Sequence, residues 1–425
     1  MTQNIKHKLL LAAASGALVF GMAGHATAAG FYIQGQSISH MGSGFAGSAS
    51  NPGDASTIFF NPAGMTHLDG AQINIGLNGL MTHTDVEDQG STVNNVALAA
   101  AGFATGDGGN PGGLNVIPSL YIATPFMNDN RLWLGLGVNS PFGLGNQYDS
   151  DFFGRFVSSK TDLRTIDITP TIAYQATDWL SVGAGLIYQK ARGNLQQNVG
   201  SVASPSEVRL RGDDAAFGYN LGILMQPWQG TKIGVNYRSE TNIEFENGVF
   251  QANNLAFPAF AEITLPDIAT FGITQSIAPD WRIMGQASYF NWADFDRLTV
   301  TRDTVTAPLA DVNFNYQDTW NFNAGVEYDY SDKLVLRAGY QFDETPTTIE
   351  GRSTVNPDGD RHWFTLGATY DYNEKMSFDF AAAYLDIEDE KIDQTRTAGG
   401  NTLRLVGEAT DTYAGYVGFG FNYKF

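Results

Sequence analysis

Side chains that usually carry enzyme chemistry are scarce in this chain. It has no cysteine, which excludes thiol catalysis, disulfide bonds and cysteine-based metal sites. Beyond residue 28 there are four histidines, none at a metal-binding spacing from another: His40, His67, His83 and His362. No Gly-x-Ser-x-Gly elbow for a nucleophilic serine occurs. We therefore predict that the protein is not an enzyme and has no cofactor and no metal site.

Two other motifs have simpler interpretations. Residues 42–47 match the dinucleotide fingerprint Gly-x-Gly-x-x-Gly. That fingerprint needs a preceding strand and a following helix, and neither is indicated here, so we interpret the match as chance. The acidic run at residues 386–393 could bind a divalent cation, but a solvated loop is the simpler interpretation.

The N-terminus has the pattern of a secretory signal peptide. Lys6 and Lys8 precede an apolar run at residues 9–23, and Ala26-Thr27-Ala28 supplies a small-residue cleavage site. We predict a signal peptide at residues 1–28 and a mature chain that starts at Ala29. No later stretch of about 18 apolar residues occurs, which argues against membrane-spanning helices.

The composition nevertheless favours a membrane protein. Charged residues make up only 16% of the chain and aromatic residues 12%, against about 25% charged residues in ordinary soluble domains. A β-barrel explains this, because each strand is apolar on one face only. The net charge of −20 argues against a nucleic-acid partner.

The last strand shows the alternation most clearly. Large apolar side chains recur at every second position and the chain stops on an aromatic residue: Tyr413, Val417, Phe419, Phe421, Tyr423 and Phe425. This is typical of a bacterial outer-membrane barrel, whose last strand closes against the first. We therefore predict that the protein lies in the outer membrane, in contact with lipid and lipopolysaccharide. Its Phe425 is expected to be recognised by the barrel-assembly machinery.

Turn signals predict the strand number. Six short turns, near residues 127–130, 176–178, 227–230, 278–280, 330–332 and 373–374, alternate with seven longer polar stretches. Fourteen antiparallel strands follow, with short periplasmic turns and long outer loops. Arg337 alternates with apolar neighbours, and because an Arg facing lipid at mid-depth costs about 2–4 kcal/mol, its face must be the inner one. The fold class is thus an all-β transmembrane barrel over residues 71–425.

Residues 29–70 do not fit the wall. They are rich in glycine and serine, contain two Asn-Pro pairs and show no sustained alternation. Ile58, Phe59 and Phe60 would be unfavourable in a solvated tail. We predict that this segment is a hatch that plugs the barrel from inside; the alternative is a flexible periplasmic extension.

The third strand contains a break. Residues 132–138 alternate regularly and are followed by Ser140, Pro141, Phe142 and Gly143. Proline cannot donate to a ladder and is tolerated only at edges or bulges, and a closed barrel has no edge. The pattern predicts a bend and a gap in the wall, a lateral gate through which an apolar molecule leaves sideways into the membrane. The alternative is that Pro141 lies in the outer loop.

One outer loop is unusually apolar. The expected loop at residues 242–264 contains five large apolar side chains: Val249, Phe250, Leu255, Phe257 and Phe260. Exposed apolar patches usually mark binding surfaces, so we predict that Phe250, Phe257 and Phe260 contact a ligand. The alternative is that the loop packs upon itself.

These segments together resemble the FadL/TodX family of outer-membrane transporters of hydrophobic compounds. The motifs that carry the resemblance extend over essentially the whole mature chain: Ala29-Gly30-Phe31, Phe60-Asn61-Pro62-Ala63-Gly64-Met65, Ser140-Pro141-Phe142-Gly143-Leu144, Gly154-Arg155-Phe156, Leu265-Pro266-Asp267, Trp292-Ala293-Asp294-Phe295, the seven residues Arg337 to Asp343, and Pro357-Asp358-Gly359-Asp360-Arg361.

The resemblance implies passive uptake of long-chain fatty acids or similar molecules. Ligand would be captured in an outer apolar groove, bind in a pocket that includes Phe31 and leave through the third-strand gap. The hatch would be held by Asn61, Pro62 and Ala63.

The chain departs from the family at the ligand carboxylate. Where fatty-acid members are thought to place two basic residues, this chain has Leu195 and Val312. Nearby Lys190 and Arg192 could substitute for them, and a neutral or aromatic hydrocarbon is the other possible substrate. Two further hypotheses are a general diffusion porin and a barrel enzyme that uses His83 or His362.

Overall fold

The computed structural model describes residues 30–94, 106–126, 129–201, 204–252, 255–295, 297–302, 305–398 and 401–425. The predicted signal peptide, residues 1–28, and the predicted mature start Ala29 lie outside the described residues. No helix in the described ranges is long and apolar enough to cross a membrane.

Strands dominate the described chain, with twenty-one segments joined in one antiparallel sheet. They are β1 (Gln72–Asp88), β2 (Thr92–Val93), β3 (Leu114–Phe126), β4 (Asp129–Asn139), β5 (Gly143–Gln147), β6 (Lys160–Thr177), β7 (Leu180–Ser201), β8 (Ser204–Trp228), β9 (Thr231–Arg238), β10 (Thr241–Ala252), β11 (Leu255–Leu265), β12 (Ile268–Ala278), β13 (Trp281–Phe290), β14 (Arg297–Arg302), β15 (Val305–Asn313), β16 (Thr319–Ser331), β17 (Leu334–Asp343), β18 (Arg361–Asn373), β19 (Met376–Ile387), β20 (Glu390–Ala398) and β21 (Asn401–Lys424).

These segments form a closed barrel of fourteen strands, as predicted. Six of the wall strands are interrupted once, so that each consists of two segments: β4–β5, β9–β10, β11–β12, β13–β14, β15–β16 and β19–β20. The short β2 pairs beside β21 and is not a wall strand of its own. β21 closes on β1 from Gln72↔Lys424 onward, and it pairs with β19 on its other side. A strand that ends in alternating aromatic residues therefore does close the barrel.

The two faces of the wall differ as the alternation predicted. On β16, Trp320 is 44% exposed on the outer face, whereas its neighbour Asn321 is fully buried on the inner face. Arg337 lies inside, where its Nε is 2.5 Å from Glu327 Oε2, and Arg282 Nε is 2.5 Å from the other oxygen of the same carboxylate. The inner charges are therefore paired with one another, and the outer face is left apolar.

The N-terminal segment, residues 30–70, lies against the inner side of the wall. It contains α1 (Ile38–Gly42), α2 (Thr57–Phe60) and a 3-10 helix, η1 (Pro62–His67). α1 contacts β1, β17, β18, β19 and β21, and η1 contacts β4, β6, β7 and β8. The segment therefore touches wall strands on opposite sides of the bore.

Asn61 and Pro62 start η1 in the manner expected of a helix cap. The Asn61 side-chain oxygen accepts a hydrogen bond from the Ala63 N–H at 3.1 Å, and Pro62 occupies the first helical position, where its missing N–H costs nothing. Asn61 Nδ2 also donates to the Ile223 carbonyl of β8 at 3.0 Å. This residue therefore both shapes the segment and ties it to the wall.

Glycines let the segment approach the wall backbone. Gly44 has φ +63°, which only glycine adopts readily, and it lies directly over Gly339 and Tyr340 of β17. A Cβ added to Gly339 would overlap the carbonyl group of Ser43. The fingerprint-like run at residues 42–47 is thus a packing motif.

We expect Gly339→Val to displace the N-terminal segment, because no side chain fits between Gly339 and Ser43. The result is a several-fold rise in small-ion conductance through purified protein in planar bilayers. Gly415→Val is the matched control, since the nearest atom to a Cβ there is 3.9 Å away in β19. Equal conductance in the two variants would contradict the prediction.

Candidate functional site

The third wall strand is broken between β4 and β5. β4 pairs with β6 up to Asn139↔Asp167, and β5 resumes with Gly143↔Arg164. Residues 140–142 of the broken strand thus lie opposite only residues 165 and 166 of β6. The one extra residue makes this a β-bulge, which bends the strand. The side-chain hydroxyl of Thr165 accepts from the Phe142 N–H at 3.0 Å, so β6 still holds the bend in place.

At the bend, the strand pairs with the N-terminal segment. The Ile33 N–H donates to the Pro141 carbonyl at 2.7 Å, and the Gly143 N–H donates to the Phe31 carbonyl at 2.9 Å. Gln36 Nε2 donates to the Ser140 carbonyl at 2.6 Å. The hydrogen bond at Pro141 uses its carbonyl group, so the missing N–H of proline costs no ladder hydrogen bond at this position.

A gap in the wall results on the side of β3. Residues 120–126 of β3 pair with β4, but residues 114–119 pair only with β1, and β5 pairs only with β6. All of these residues are described, and no ladder joins β3 to β5. Leu114 is 75% exposed on the outer face beside the gap, next to the exposed Met81 of β1. The gap therefore opens onto an apolar part of the outer surface.

An apolar cavity lies inside the barrel close to this bend. It has an empty volume of about 690 Å³, including space open to solvent. Its exposed lining is almost wholly carbon. The apolar side chains around it are Phe31, Leu144, Leu163, Leu195, Leu210, Phe245, Ala261, Ile263, Phe295, Leu298, Phe314 and Val355.

The cavity continues toward the outer hairpins. A second apolar space shares Leu195, Leu210, Phe314 and other lining residues with it and extends to Phe250 of β10 and Val312 of β15. The two spaces form one elongated apolar cavity. That shape suits a chain-like molecule better than a compact polar one.

Aromatic side chains separate the cavity from the bend. The Phe31 ring lies 4.8 Å from Trp292 and 4.8 Å from Phe295, centroid to centroid, and 6.0 Å from Phe142 of the bend. Phe31 is thus in contact with both the apolar cavity and the broken strand.

The loop between β17 and β18 fixes this arrangement. Asp358 Oδ2 accepts from the Gly30 N–H at 2.9 Å, and Asn356 Nδ2 donates to the Gly30 carbonyl at 3.0 Å. Asn146 of β5 donates to the carbonyl of Val355, which itself lines the cavity, at 2.9 Å. One loop therefore contacts the N-terminal segment, the cavity and the broken strand.

Comparison with known proteins decides the family. Residues 19–425 match the family described as outer membrane protein transport protein (OMPP1/FadL/TodX). The chain belongs to this family.

Curated family members are similar along most of their length. Outer membrane protein P1 of Haemophilus influenzae is 28% identical over 450 residues, covering 95% of this chain and 96% of that protein. The long-chain fatty acid transport protein of Escherichia coli is 26% identical over 417 residues, covering 87% and 90% respectively. Such relatives are transport proteins and not enzymes, and the protein is an outer-membrane barrel.

Solved structures of the FadL/TodX family show the same fold. A Pseudomonas aeruginosa FadL homologue superposes with a TM-score of 0.84 at 21% identity, covering 93% of this chain and 99% of that one. The Ralstonia pickettii toluene transporter TbuX gives a TM-score of 0.66 at 18% identity, covering 91% and 98% respectively.

The prediction of an outer loop at residues 242–264 is wrong. Residues 242–252 lie in β10 and residues 255–264 in β11, because these segments pair with each other and bury alternate side chains such as Ile243 and Ile263; β10 also pairs with β8. Of the three predicted ligand contacts there, Phe250 lines the cavity extension. Phe257 instead lies 5.0 Å beneath the Arg302 guanidinium, and Phe260 lines an open surface groove.

The structure does not bring Lys190 and Arg192 to the cavity. Both are exposed on the outer face of β7, and Lys190 Nζ lies 3.2 Å from Asp213 Oδ2. Leu195, which has the opposite parity on the same strand, does line the cavity, as does Val312 on β15. The suggestion that Lys190 or Arg192 substitutes for the missing basic residues is therefore corrected.

We expect Lys190→Ala and Arg192→Ala to leave palmitate affinity unchanged to within about fivefold, since a surface charge of this kind contributes about 0–1 kcal/mol. Displacement of a fluorescent fatty acid from purified protein measures this. A tenfold loss in either variant would place its side chain near the ligand after all.

Two other polar groupings lie away from the cavity. Carboxylate oxygens of Glu240, Asp267 and Asp294 come within 4.8 Å of one another, and Asn291 donates to two of these carboxylates. Such exposed acidic groups are common without an ion. The hydrogen bond between His362 Nδ1 and Tyr340 Oη, 2.7 Å long, is likewise exposed and does not border the cavity.

Proposed function

We propose that this protein is a passive outer-membrane uptake channel for long-chain fatty acids or similar elongated hydrophobic compounds. The observation that carries the proposal is an apolar cavity lined by Phe31, whose ring also contacts a broken, partly unpaired wall strand. A polar bore through the barrel would disfavour such cargo at every step. An apolar cavity beside a gap in the wall provides a route that stays apolar.

The proposed route has three stages. Cargo is captured between the outer hairpins near Phe250, binds in the cavity against Phe31, and leaves through the gap beside residues 140–143 into the membrane. Burial of the chain drives capture, at about 0.8 kcal/mol per methylene group. Release then requires movement of Phe31 or Phe142, which lie between the cavity and the gap.

The N-terminal segment has the role of a hatch in this proposal. Asn61, Pro62 and Ala63 hold it to the wall through the cap of η1 and the bond to β8. A filled bore argues against the general diffusion porin. Contact with lipid and lipopolysaccharide stays a prediction, as does recognition of Phe425 by the assembly machinery.

Neutral or aromatic hydrocarbons are the second candidate cargo. Leu195 and Val312 place aliphatic side chains where the family resemblance implies basic residues, so neither position offers a cation to a carboxylate. The toluene transporter TbuX, which has a similar fold, is a family member named for an aromatic cargo.

A ligand panel on the purified protein tests the proposal. Palmitate, oleate, hexadecane and toluene each compete with a fluorescent fatty acid, and uptake of each is followed in cells that lack other transporters of this family. Binding and uptake of palmitate or hexadecane support the proposed channel. Binding of none of the four, together with ion conductance through the unaltered protein, would overturn it.

A further inference from the structure

A second chamber lies on the opposite side of the backbone at Phe31 and Tyr32 from the apolar cavity. Phe31 lines the cavity, whereas its neighbour Tyr32 lines this chamber, together with Gln34, Asn236, Arg238, Thr270 and Ser288. The chamber has an empty volume of about 450 Å³, including space open to solvent, against about 690 Å³ for the apolar cavity. It has room for a small polar group such as a carboxyl.

The chamber borders the lateral gap. The Tyr32 ring is 5.4 Å from Phe142 of the broken strand, and the guanidinium of Arg238 lies 6.0 Å from the centroid of the same Phe142 ring. A molecule that passes Phe142 from the cavity therefore comes next to Arg238.

Arg238 supplies hydrogen-bond donors to this space. Its side chain is 6% exposed, and its Nη2 is 2.5 Å from Asp167 Oδ2, while Gln189 holds the other Asp167 oxygen at 2.8 Å. A guanidinium carries five N–H donors in a fixed fork, and this ion pair engages only part of the fork. Arg238 is one of the residues that line the chamber, where an acceptor oxygen can bind its guanidinium without separating the pair.

Gln34 supplies an acceptor in the same chamber. Its side chain is 7% exposed, and its Oε1 atom is buried without a hydrogen-bond partner. A buried unpaired polar atom costs about 1–3 kcal/mol, which a donor placed in the chamber would recover. Donors and an acceptor on facing walls match a group that both donates and accepts, such as a protonated carboxyl or a hydroxyl.

We propose that this chamber binds the polar head of an amphipathic cargo, such as a fatty acid or fatty alcohol, while its alkyl chain still lies in the apolar cavity. The head's oxygen accepts from Arg238 and its O–H donates to Gln34 Oε1. This inference rests on the proposed function and specifies its cargo as a chain with one small hydrogen-bonding head. The aliphatic side chain of Leu195 at the outer end of the cavity then has a reason, because the head is recognised at the inner end.

Gln34→Leu tests the inference without disturbing the buried ion pair. We expect palmitate uptake to fall at least about fivefold and hexadecane uptake to stay unchanged. Gln89→Leu, at an exposed glutamine that lines neither space, is the matched control and leaves both rates unchanged. Equal losses for the two cargoes, or no loss for palmitate, would overturn the inference and leave the chamber as a water-filled space.

A spectroscopic readout reports the head directly. The carboxyl ¹³C resonance of [1-¹³C]palmitate bound to purified protein should differ between the unaltered protein and Gln34→Leu, and an identical resonance would overturn the inference. A double variant, Asp167→Leu with Arg238→Met, should shift it further. If the unaltered protein takes up hexadecane but not palmitate, the channel stands and this inference fails; if it takes up neither, the proposed function itself fails.

Discussion

We expect a straightened third wall strand to abolish uptake while ligand binding persists. The variant replaces residues 140–143 with Thr-Val-Thr-Val, an alternating sequence of the same length. Uptake of the best ligand of the panel should fall at least about tenfold, equivalent to about 1.4 kcal/mol in the rate-limiting step. Equilibrium affinity should stay within about threefold, because Phe31 and the aliphatic cavity walls are unchanged.

The physical reason lies in the hydrogen bonds at the bend. Pro141 cannot donate to a ladder, and the carbonyl of Pro141 and the N–H of Gly143 instead pair with Ile33 and Phe31 of the N-terminal segment. Residues with free N–H groups and β-branched side chains favour a regular strand. Such a strand can pair with residues 114–119 of β3, which now have no partner on that side. Pairing there would close the gap.

Pro170→Val is the control for this experiment. Pro170 lies in β6, opposite Leu136, where the ladder between β4 and β6 continues on both sides of it. Replacing this proline should therefore leave uptake unchanged. Unaltered uptake in the straightened variant, measured beside the control, would defeat the lateral release route.

Local patterns predicted the wall well. Alternation and short turns are properties of neighbouring residues, so the fourteen strands, the closing strand and the inner face of Arg337 follow from the sequence. The outer ends of the strands do not follow from the sequence, because polar residues outside the membrane form strand pairs as readily as residues inside it. That is why residues 242–252 and 255–264 form strands although they were expected to form a loop.

The site residues depend more on distant contacts. Parity along β7 places Lys190 and Arg192 on the outer face with Leu186 and Tyr188. The sequence contained this signal, but the prediction followed the resemblance, which implies basic residues near the ligand. Asp358 was visible only as part of a motif, and Asn356, directly before that motif, was not singled out. Their contacts with Gly30, more than 320 residues away, arise from the closure of the barrel. No sequence pattern marked Arg238 or Gln34 as candidate site residues.

Leu195→Asp should weaken binding of every ligand in the panel. Leu195 lines both parts of the apolar cavity, and a carboxylate placed there loses water among mostly apolar side chains. We expect the affinity for hexadecane and palmitate to fall at least about 100-fold, about 2.7 kcal/mol. Leu195→Met, which nearly conserves volume, should change affinity less than about threefold. Displacement titrations measure both, and an unchanged affinity in Leu195→Asp would place the ligand elsewhere.

Leu195→Arg separates the two cargo classes. A guanidinium at this position offers a charged partner to a carboxylate and none to a hydrocarbon, so palmitate affinity should rise relative to hexadecane affinity by about tenfold or more. A carboxylate held at the outer end cannot at the same time occupy the chamber beside Arg238. Tighter palmitate binding should therefore come with slower palmitate uptake in this variant. If binding and uptake rose together, the head would not need to reach the inner chamber before release.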